Sequence, residues 1–304
     1  MTTQMPESVT VYEVGARDGL QNEATVIATA DKVEFIRRLA ASGLTTIEAT
    51  SFVHPTWVPQ LTDAEDVLRE IDLPGAVSYP VLVPNLRGLD RAVAAGVRHI
   101  AIFGSATESF AQKNLNRSVD EQFEMFAPTV TRALHEGMDV RAYVSMCFGD
   151  PWEGDVPVGQ VVEVGRRLYD LGASQLSIGD TLGLATPGRV HDLLDAFDTA
   201  GLGADVLAVH FHDTYGQALA NSYAALEACI RTFDASAGGL GGCPYAPGAA
   251  GNLATEDLVW MLDGLGIQSG VDVRALAKTS SWMAEKLGRP STSSVVRALA
   301  AQPA

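Results

Sequence analysis

Two histidines stand two residues apart near the end of a predicted strand. They are His210 and His212, separated by a single phenylalanine. Side chains at positions i and i+2 of a strand face the same way, so both imidazoles can point to one place. This spacing suits a divalent metal ion. Taken in isolation, it is also consistent with two core histidines that bond to neighbouring strands.

Other polar residues stand near the ends of other predicted strands. Arg17 and Asp18 follow the first strand, Glu48 lies in the second, and Asp180 follows the sixth. Asp18 can bind a metal or accept a proton, and the guanidinium of Arg17 can stabilise an enolate or a carboxylate. An ordinary surface ion pair is the alternative for these two residues. Glu48 and Asp180 are candidates for direct chemistry or for orienting Arg17 and a histidine.

A glycine-rich segment follows the eighth predicted strand. Residues 238–252 contain six glycines around a single thiol, Cys243, and end at Asn252. Such a loop can fold over a site, exclude water and deliver Cys243 as a general acid or base. Glycine-rich turns and lone cysteines also occur without any function, so the prediction depends on the place of the loop after a strand.

Two further residues are candidates on less specific grounds, and two cysteines lie outside the glycine-rich segment. His54 and Lys113 are predicted to lie in loops at the same rim, where Lys113 either meets a phosphate or carboxylate or is a solvated surface lysine. Cys229 is expected in the core, within an Ala/Leu-rich helix. Cys147, near the end of the fifth strand, is left undecided.

A repeated pattern of strands and helices has to position these residues. Short β-branched runs alternate eight times with longer stretches of helical period, which is typical of parallel βα units. The predicted strands are 9–14, 45–49, 77–83, 99–103, 140–145, 175–179, 206–211 and 232–235. The predicted helices include 29–41, 86–95, 119–136, 158–171, 187–199, 217–230 and 255–262. Glycines that could form left-handed helix caps are Gly43, Gly96, Gly137, Gly172, Gly201 and Gly264.

Eight such units predict a (β/α)8 TIM barrel, an α/β fold whose active site lies at the C-terminal ends of the strands. The candidate residues then share one rim. An open doubly wound sheet is the alternative, but eight successive units without a break in composition favour the barrel. We expect residues 1–270 to form the catalytic barrel and residues 271–304 to add helices that pack on it.

Composition excludes several classes of protein. The chain of 304 residues has a formal net charge of −16, which disfavours binding to nucleic acid or to an anionic membrane surface. No apolar run approaches the roughly 18 residues of a membrane span, and the first residues lack the pattern of a secretory signal. The three cysteines are odd in number and widely separated, which argues against a disulfide framework. We therefore expect a cytoplasmic protein.

Several stretches of the chain resemble the 3-hydroxy-3-methylglutaryl-CoA lyases, a family of metal-dependent TIM-barrel lyases. The resemblance runs from about Val9 to Gly270, and the matching stretches are 11–23, 50–53, 79–82 and 209–221. The most specific match is the cysteine loop at 239–257. The H-x-H pair is shared by a wider superfamily that also forms C–C bonds, whereas the cysteine loop is characteristic of the lyases.

The resemblance implies a role for each candidate. A divalent cation, Mg²⁺ or Mn²⁺, would be held by Asp18, His210, His212 and Asn252. The mixed nitrogen and oxygen donors leave Zn²⁺ and Co²⁺ open. Arg17 would stabilise the developing enolate, Cys243 would transfer a proton, and Glu48 and Asp180 would support them.

The reaction implied is a retro-Claisen cleavage of a 3-hydroxy-3-methylglutaryl thioester to acetyl-CoA and acetoacetate, as in leucine catabolism. The partner is then an acyl-CoA substrate, and the oligomeric state is left open, with a homodimer among the options. Residues 146–152 depart from the family pattern, so a lyase for another 3-hydroxy-acyl-CoA, of isoprenoid or citramalyl type, is one alternative. A Claisen-condensing synthase and a catalytically silent barrel are the others.

Overall fold

A computed structural model describes residues 5–54, 56–71, 75–242 and 251–302. Within these ranges the strands are β1 (Thr10–Glu13), β2 (Thr46–Ile47), β3 (Thr50–Ser51), β4 (Val81–Leu82), β5 (His99–Ser105), β6 (Asp139–Ser145), β7 (Gln175–Asp180), β8 (Leu207–Phe211) and β9 (Thr232–Ala235). The helices are α1 (Thr29–Ala41), α2 (Ala64–Glu70), α3 (Leu86–Ala94), α4 (Glu108–Leu115), α5 (Val119–His135), α6 (Val158–Asp170), α7 (Pro187–Thr199), α8 (Ala218–Glu227), α9 (Thr255–Leu265), α10 (Val273–Leu287) and α11 (Ser294–Ala300). A π-helical turn, Gly15–Gly19, and 3-10 turns at Pro59–Leu61 and Ala237–Gly239 complete the described elements. None of the described helices combines the length and the apolar character that crossing a membrane requires.

The sheet closes into a barrel through β2 and β3. Every strand pair is parallel, and the order β2-β1-β9-β8-β7-β6-β5-β4-β3 places β2 and β3 at the two edges. These two strands are consecutive parts of residues 46–51. Between them Glu48 N donates to Glu13 O at 2.8 Å, and Ala49 N donates to Pro80 O at 2.9 Å. One extended segment therefore bonds to β1 on one side and to the β4 segment on the other, which confirms the TIM-barrel prediction.

The predicted elements form close to their expected bounds, with exceptions in the second and third units. The single strand predicted at 45–49 is two short strands, and only Val81–Leu82 of the predicted strand 77–83 belongs to a ladder. Pro80 has no N–H and cannot donate to a neighbouring strand, which limits pairing before Val81. The placement of Lys113 in a loop is wrong: it lies in α4, with its Nζ 4.7 Å from the ring centroid of Trp152.

Helix ends follow the predicted glycines with one correction. Positive φ angles occur at Gly43, Gly96, Gly137, Gly172 and Gly201. Gly264 is not a cap, because α9 continues to Leu265 and Gly266 takes the left-handed conformation with φ 74°. Cys229 lies beyond the end of α8, is only partly buried and has a φ of 63°, so its expected place in a helix core is wrong.

The first turn of α9 connects the barrel to the last two helices. Ser280 of α10 donates its hydroxyl to buried Glu256. Asp257 Oδ1 accepts from Ser293 Oγ at 2.7 Å and from Val295 N at 2.9 Å, which anchors the start of α11. Two adjacent acidic residues thus bond to both C-terminal helices, while the domain boundary at residue 270 stays a prediction.

Glu13, the last residue of β1, joins the elements that carry the candidate site. Its buried carboxylate accepts from Gly15 N at 2.7 Å and Ala237 N at 2.8 Å through Oε1, and from Thr255 Oγ1 at 2.6 Å through Oε2. Burial raises the pKa of Glu13 to about 7, although these hydrogen bonds oppose the rise. Glu13 thereby fixes the turn that bears Arg17 relative to the turn at which the glycine-rich segment begins.

We predict that Glu13→Gln makes folding stability less sensitive to pH. A carboxyl whose pKa is 4.5 when unfolded and about 7 when folded keeps its proton only in the native protein between those values. The free energy of unfolding therefore falls as pH rises through this window, by about 1.4 kcal/mol per pH unit. Glutamine has the same shape and no proton to lose. In urea unfolding from about pH 5 to about pH 8, the free energy of unfolding of the variant minus that of wild type should increase with pH.

The matched control is Glu70→Gln, at an exposed position on α2. Its stability should follow the wild-type pH profile. A difference between Glu13→Gln and wild type that stays constant over the same pH range would contradict the prediction.

Candidate metal centre and active site

Three side chains that can bind a metal lie together at the C-terminal rim of the barrel. One ligand atom from each of Asp18, His210 and His212 lies within 4.8 Å of the other two. His210 lies within β8 and His212 just beyond it, so the two-residue period places both rings on one face. Their Nε2 atoms are 3.2 Å apart. Asp18 comes from the π-helical turn after β1.

Backbone pairing brings Asn252 to the same place. Residues 251–253 run antiparallel to residues 211–213, and an isolated bridge joins His212 to Asn252. Asn252 Nδ2 donates to Asp18 Oδ2 at 2.8 Å and to Leu240 O at 3.1 Å. Its Oδ1 is buried and has no hydrogen-bond partner among the described residues. The structure thus assembles all four residues for which the resemblance implies metal binding.

Two glycines permit this close approach. A Cβ at Gly241, whose φ is 110°, would lie 2.7 Å from Asn252 Nδ2. A Cβ at Gly251 would lie 2.0 Å from Gly241 O. A larger residue at Gly241 would clash with Asn252 itself, and one at Gly251 would clash with the backbone of Gly241, so both glycines serve the geometry of the site.

The donor set fits a divalent ion. Two nitrogens that bind one ion at about 2.1 Å on adjacent positions are separated by about 3 Å, close to the spacing of the two Nε2 atoms. A buried acceptor without a partner costs about 1–3 kcal/mol, and an ion bound to Asn252 Oδ1 would remove that cost. The four residues therefore offer two imidazole nitrogens, a carboxylate and an amide oxygen to one cation.

The surrounding groups keep Asp18 and His212 in the forms that bind metal. Burial opposes ionisation of Asp18, but the charges of Arg17 and His210 and the hydrogen bond from Asn252 outweigh it and lower the pKa to about 2. Burial lowers the pKa of His212 to about 4, and the charge of His210 acts in the same direction. Near neutral pH Asp18 is thus a carboxylate and His212 a neutral imidazole. Burial opposes protonation of His210, but the hydrogen bond and charge of Asp234 and the charge of Asp18 outweigh it and raise the pKa of His210.

Arg17 is buried beside the cluster and is held on two sides. Its Nε donates to Glu48 Oε2 at 2.7 Å, and its Nη1 donates to Asp18 Oδ1 at 2.9 Å. Tyr143 donates its hydroxyl to the same Glu48 oxygen at 3.0 Å. Burial raises the pKa of Glu48, although Arg17 opposes this. Glu48 and Tyr143 therefore orient a permanent positive charge next to the proposed metal ligands.

Asp180 is bonded differently from the other candidates. Its two carboxylate oxygens accept from Leu184 N at 2.8 Å and from Ala185 N at 3.1 Å. Burial raises its pKa to about 6, against the effect of these bonds. In this conformation Asp180 anchors the loop before α7, which is compatible with a supporting role.

Neither Cys147 nor His54 joins the described cluster. Cys147 is buried, donates its thiol to Val144 O at 3.0 Å, and has a pKa raised by burial. His54 is exposed and accepts from Thr56 N at 3.3 Å. Cys243 lies outside the described residues, so its role stays a prediction.

Asp234 and Arg141 are two buried residues inside the barrel that were not among the sequence candidates. Arg141 Nη2 lies 2.5 Å from Asp234 Oδ1, and Asp234 Oδ2 lies 3.2 Å from His210 Nδ1. Barrel interiors are usually filled by Val, Ile and Leu. Charged residues inside the predicted strands 140–145 and 232–235 were therefore a signal that could have identified this pair.

We predict that His212→Ala weakens the binding of Mn²⁺ by on the order of 10²-fold or more, because it removes one of two imidazole ligands. Titration of the metal-free protein with Mn²⁺, followed by electron paramagnetic resonance, measures the change. His191→Ala is the matched control, since His191 is a surface residue on α7 that pairs with Glu227. Equal affinities in His212→Ala and the control would rule out the proposed ligand set.

The comparisons with known proteins agree with this geometry. The family model described as HMGL-like matches residues 8–283. Mitochondrial hydroxymethylglutaryl-CoA lyase from Gallus gallus is 49% identical over 295 residues, covering 96% of this chain and 98% of that protein. The mitochondrial enzyme from Homo sapiens is 47% identical and covers 97% of this chain and 90% of that protein.

Solved structures of hydroxymethylglutaryl-CoA lyases are also similar to this chain. Hydroxymethylglutaryl-CoA lyase from Pseudomonas aeruginosa superimposes with a TM-score of 0.96 at 43% identity, covering 98% of this chain and 99% of that chain. An HMG-CoA lyase from Acinetobacter baumannii, in complex with coenzyme A and 3-methylmalate, gives 0.91 at 36% identity, with coverage of 96% and 95%. A family model that spans most of the chain and relatives of this similarity lead to one conclusion: the chain belongs to the HMGL-like family.

Proposed function

We propose that this protein catalyses the retro-Claisen cleavage of 3-hydroxy-3-methylglutaryl-CoA to acetyl-CoA and acetoacetate, a reaction of leucine degradation. It is a carbon–carbon lyase, in line with curated relatives that are 47–49% identical over nearly the whole chain. The observation that carries the proposal is the buried guanidinium of Arg17 beside the cluster of Asp18, His210 and His212.

The reaction has two electrostatic requirements. The tertiary hydroxyl must lose its proton, and the departing thioester enolate needs positive charge close to its oxygen. A divalent cation held by the two histidines, Asp18 and Asn252 would supply Lewis acidity for both, and we propose Mg²⁺ or Mn²⁺. Asp18 is the candidate acceptor of the hydroxyl proton. Since a carboxylate whose pKa is about 2 is a weak base, this role depends on a cation that acidifies the hydroxyl.

Arg17 stabilises the enolate. An arginine has five N–H donors, and the bonds to Glu48 and Asp18 use two of them. No other hydrogen bond of the Arg17 side chain is found among the described residues, so the other three donors are available to substrate oxygens. Because Glu48 and Tyr143 hold the side chain in place, little reorganisation is needed when charge develops, which is the condition for effective electrostatic catalysis. Protonation of the enolate carbon is assigned to Cys243, on its place in the glycine-rich segment and on the resemblance.

The thioester partner is proposed on both chemistry and similarity. The Acinetobacter baumannii relative has coenzyme A bound in its structure. A chain with a net charge of −16 has to meet this anionic ligand with local positive groups. A lyase for another 3-hydroxy-acyl-CoA uses the same groups and is kept as an outcome of the assay. The cytoplasmic location is likewise a proposal, supported by the cysteine pattern.

A product assay over a panel of 3-hydroxy-acyl thioesters, with and without a chelator, tests class and substrate together. We expect acetoacetate and acetyl-CoA from 3-hydroxy-3-methylglutaryl-CoA, loss of activity with chelator and recovery with Mg²⁺ or Mn²⁺. Preferred cleavage of a different thioester would replace 3-hydroxy-3-methylglutaryl-CoA as the assigned substrate. Full activity after complete metal removal would reject the metal-dependent mechanism.

We predict that Cys243→Ala lowers turnover by about 10²–10⁴-fold, because it removes a proton-transfer group. Its affinity for Mn²⁺ and its melting temperature should stay at wild-type values, since no metal ligand is changed. Cys229→Ala, which changes a thiol after α8, is the control and should keep full turnover. Wild-type turnover in Cys243→Ala would remove that residue from the mechanism.

A further inference from the structure

We propose that Asp234 is a positioning residue that fixes the ring orientation and the tautomer of His210, so that His210 presents the Nε2 lone pair to the metal site. The inference rests on the proposed metal-dependent function. It adds a residue that does not touch the ion but decides whether one of its ligands is available.

Strand register brings the two side chains together. His210 and Asp234 are register partners on the adjacent parallel strands β8 and β9. Asp234 is 2% exposed, and its Oδ2 lies 3.2 Å from His210 Nδ1. A carboxylate can only accept, so this hydrogen bond places the ring hydrogen on Nδ1. In the neutral ring the other nitrogen, Nε2, then has its lone pair directed toward His212 Nε2, 3.2 Å away.

Two further groups hold the carboxylate in place. Ser177 Oγ donates to Asp234 Oδ2 at 2.8 Å, and Arg141 Nη2 donates to Oδ1 at 2.5 Å. Strands β6 and β9 are not neighbours in the sheet, so the contact between Arg141 and Asp234 crosses the barrel interior. The guanidinium of Arg141 lies 3.8 Å from the ring centroid of Tyr12 and 4.9 Å from that of Tyr143. The orientation of Asp234 is thereby fixed from two directions.

Stability alone does not account for this pair. A buried ion pair is often no more stabilising than apolar residues of the same volume, and aliphatic side chains are the usual filling of such barrels. The pair lies directly beneath a proposed metal ligand, and partners of this kind orient metal-binding histidines in general. His212 has no equivalent, since its Nδ1 is buried without a hydrogen-bond partner among the described residues. Asp234 therefore acts on one of the two imidazoles only.

The variant Asp234→Asn tests the proposal. The amide keeps the shape of the carboxylate, but its NH₂ group can donate to His210 Nδ1 and so place the ring hydrogen on Nε2, which blocks metal binding there. We expect the affinity of metal-free protein for Mn²⁺ to fall about 10–100-fold. Long-range ¹H–¹⁵N NMR at alkaline pH, on protein labelled at its six histidines, should show His210 as the Nδ1–H tautomer in wild type and as the Nε2–H tautomer in the variant.

Ser177→Ala is the matched control, because it removes one bond to the same carboxylate oxygen without reversing a donor at His210. It should keep the wild-type tautomer and hold Mn²⁺ within a few-fold of wild type. A lower melting temperature in Asp234→Asn, with tautomer and Mn²⁺ affinity unchanged, would assign Asp234 a structural role and overturn the proposal.

The wild-type protein provides a test that needs no variant to fold. An Nε2–H tautomer of His210 in metal-free wild type would overturn the proposal outright. These readouts involve no thioester, so they are separate from the proposed function. A protein that cleaved no substrate of the panel but showed the tautomer change and the loss of Mn²⁺ affinity would sustain the inference and reject only the reaction.

Discussion

The facing pair of imidazole nitrogens, His210 Nε2 and His212 Nε2, is the constraint on which the rest of the structure depends. At 3.2 Å their lone pairs repel unless a proton or a cation lies between them. The carboxylate of Asp18 and the unpartnered amide oxygen of Asn252 approach the same point, which makes a divalent cation the fitting partner. The π-helical turn after β1, the end of β8 and the antiparallel segment 251–253 each deliver one part of this donor set.

The site is supported by a continuous chain of hydrogen bonds that begins and ends at the cluster. It links, in order, Asp18, Arg17, Glu48, Tyr143, Arg141, Asp234 and His210. Unpaired buried charges cost several kcal/mol each, so a polar barrel interior is tolerable only when every charge has a partner. The same pairing makes the groups rigid, and rigid charges next to the substrate are effective in catalysis. The same buried pairs therefore stabilise the polar interior and hold the reactive groups in place.

Much of the fold follows from local sequence patterns. A period of two residues put His210 and His212 on one face, and eight βα units predicted a barrel whose rim also carries Asp18. The interruption at Glu48 and the break before Val81 were not predicted, because they arise where one segment pairs with two neighbours in different registers.

The hydrogen-bond network inside the barrel could not be predicted from local sequence patterns, for a related reason. Periodicity tells which face of a strand a side chain occupies, but it does not tell which residue lies opposite. The contact between His210 and Asp234 depends on the register of β8 and β9, and that between Arg141 and Asp234 depends on closure of the barrel. Such pairs are fixed by tertiary packing. In the sequence, such a pair is indicated by a charged residue within an otherwise apolar strand.

The most direct test of the account is an anomalous-scattering map from crystals of the protein grown with Mn²⁺. A single strong peak is expected about 2.1–2.3 Å from both histidine Nε2 atoms and from an oxygen of Asp18. Crystals with no peak at this position, despite a metal content of one ion per chain, would contradict the account.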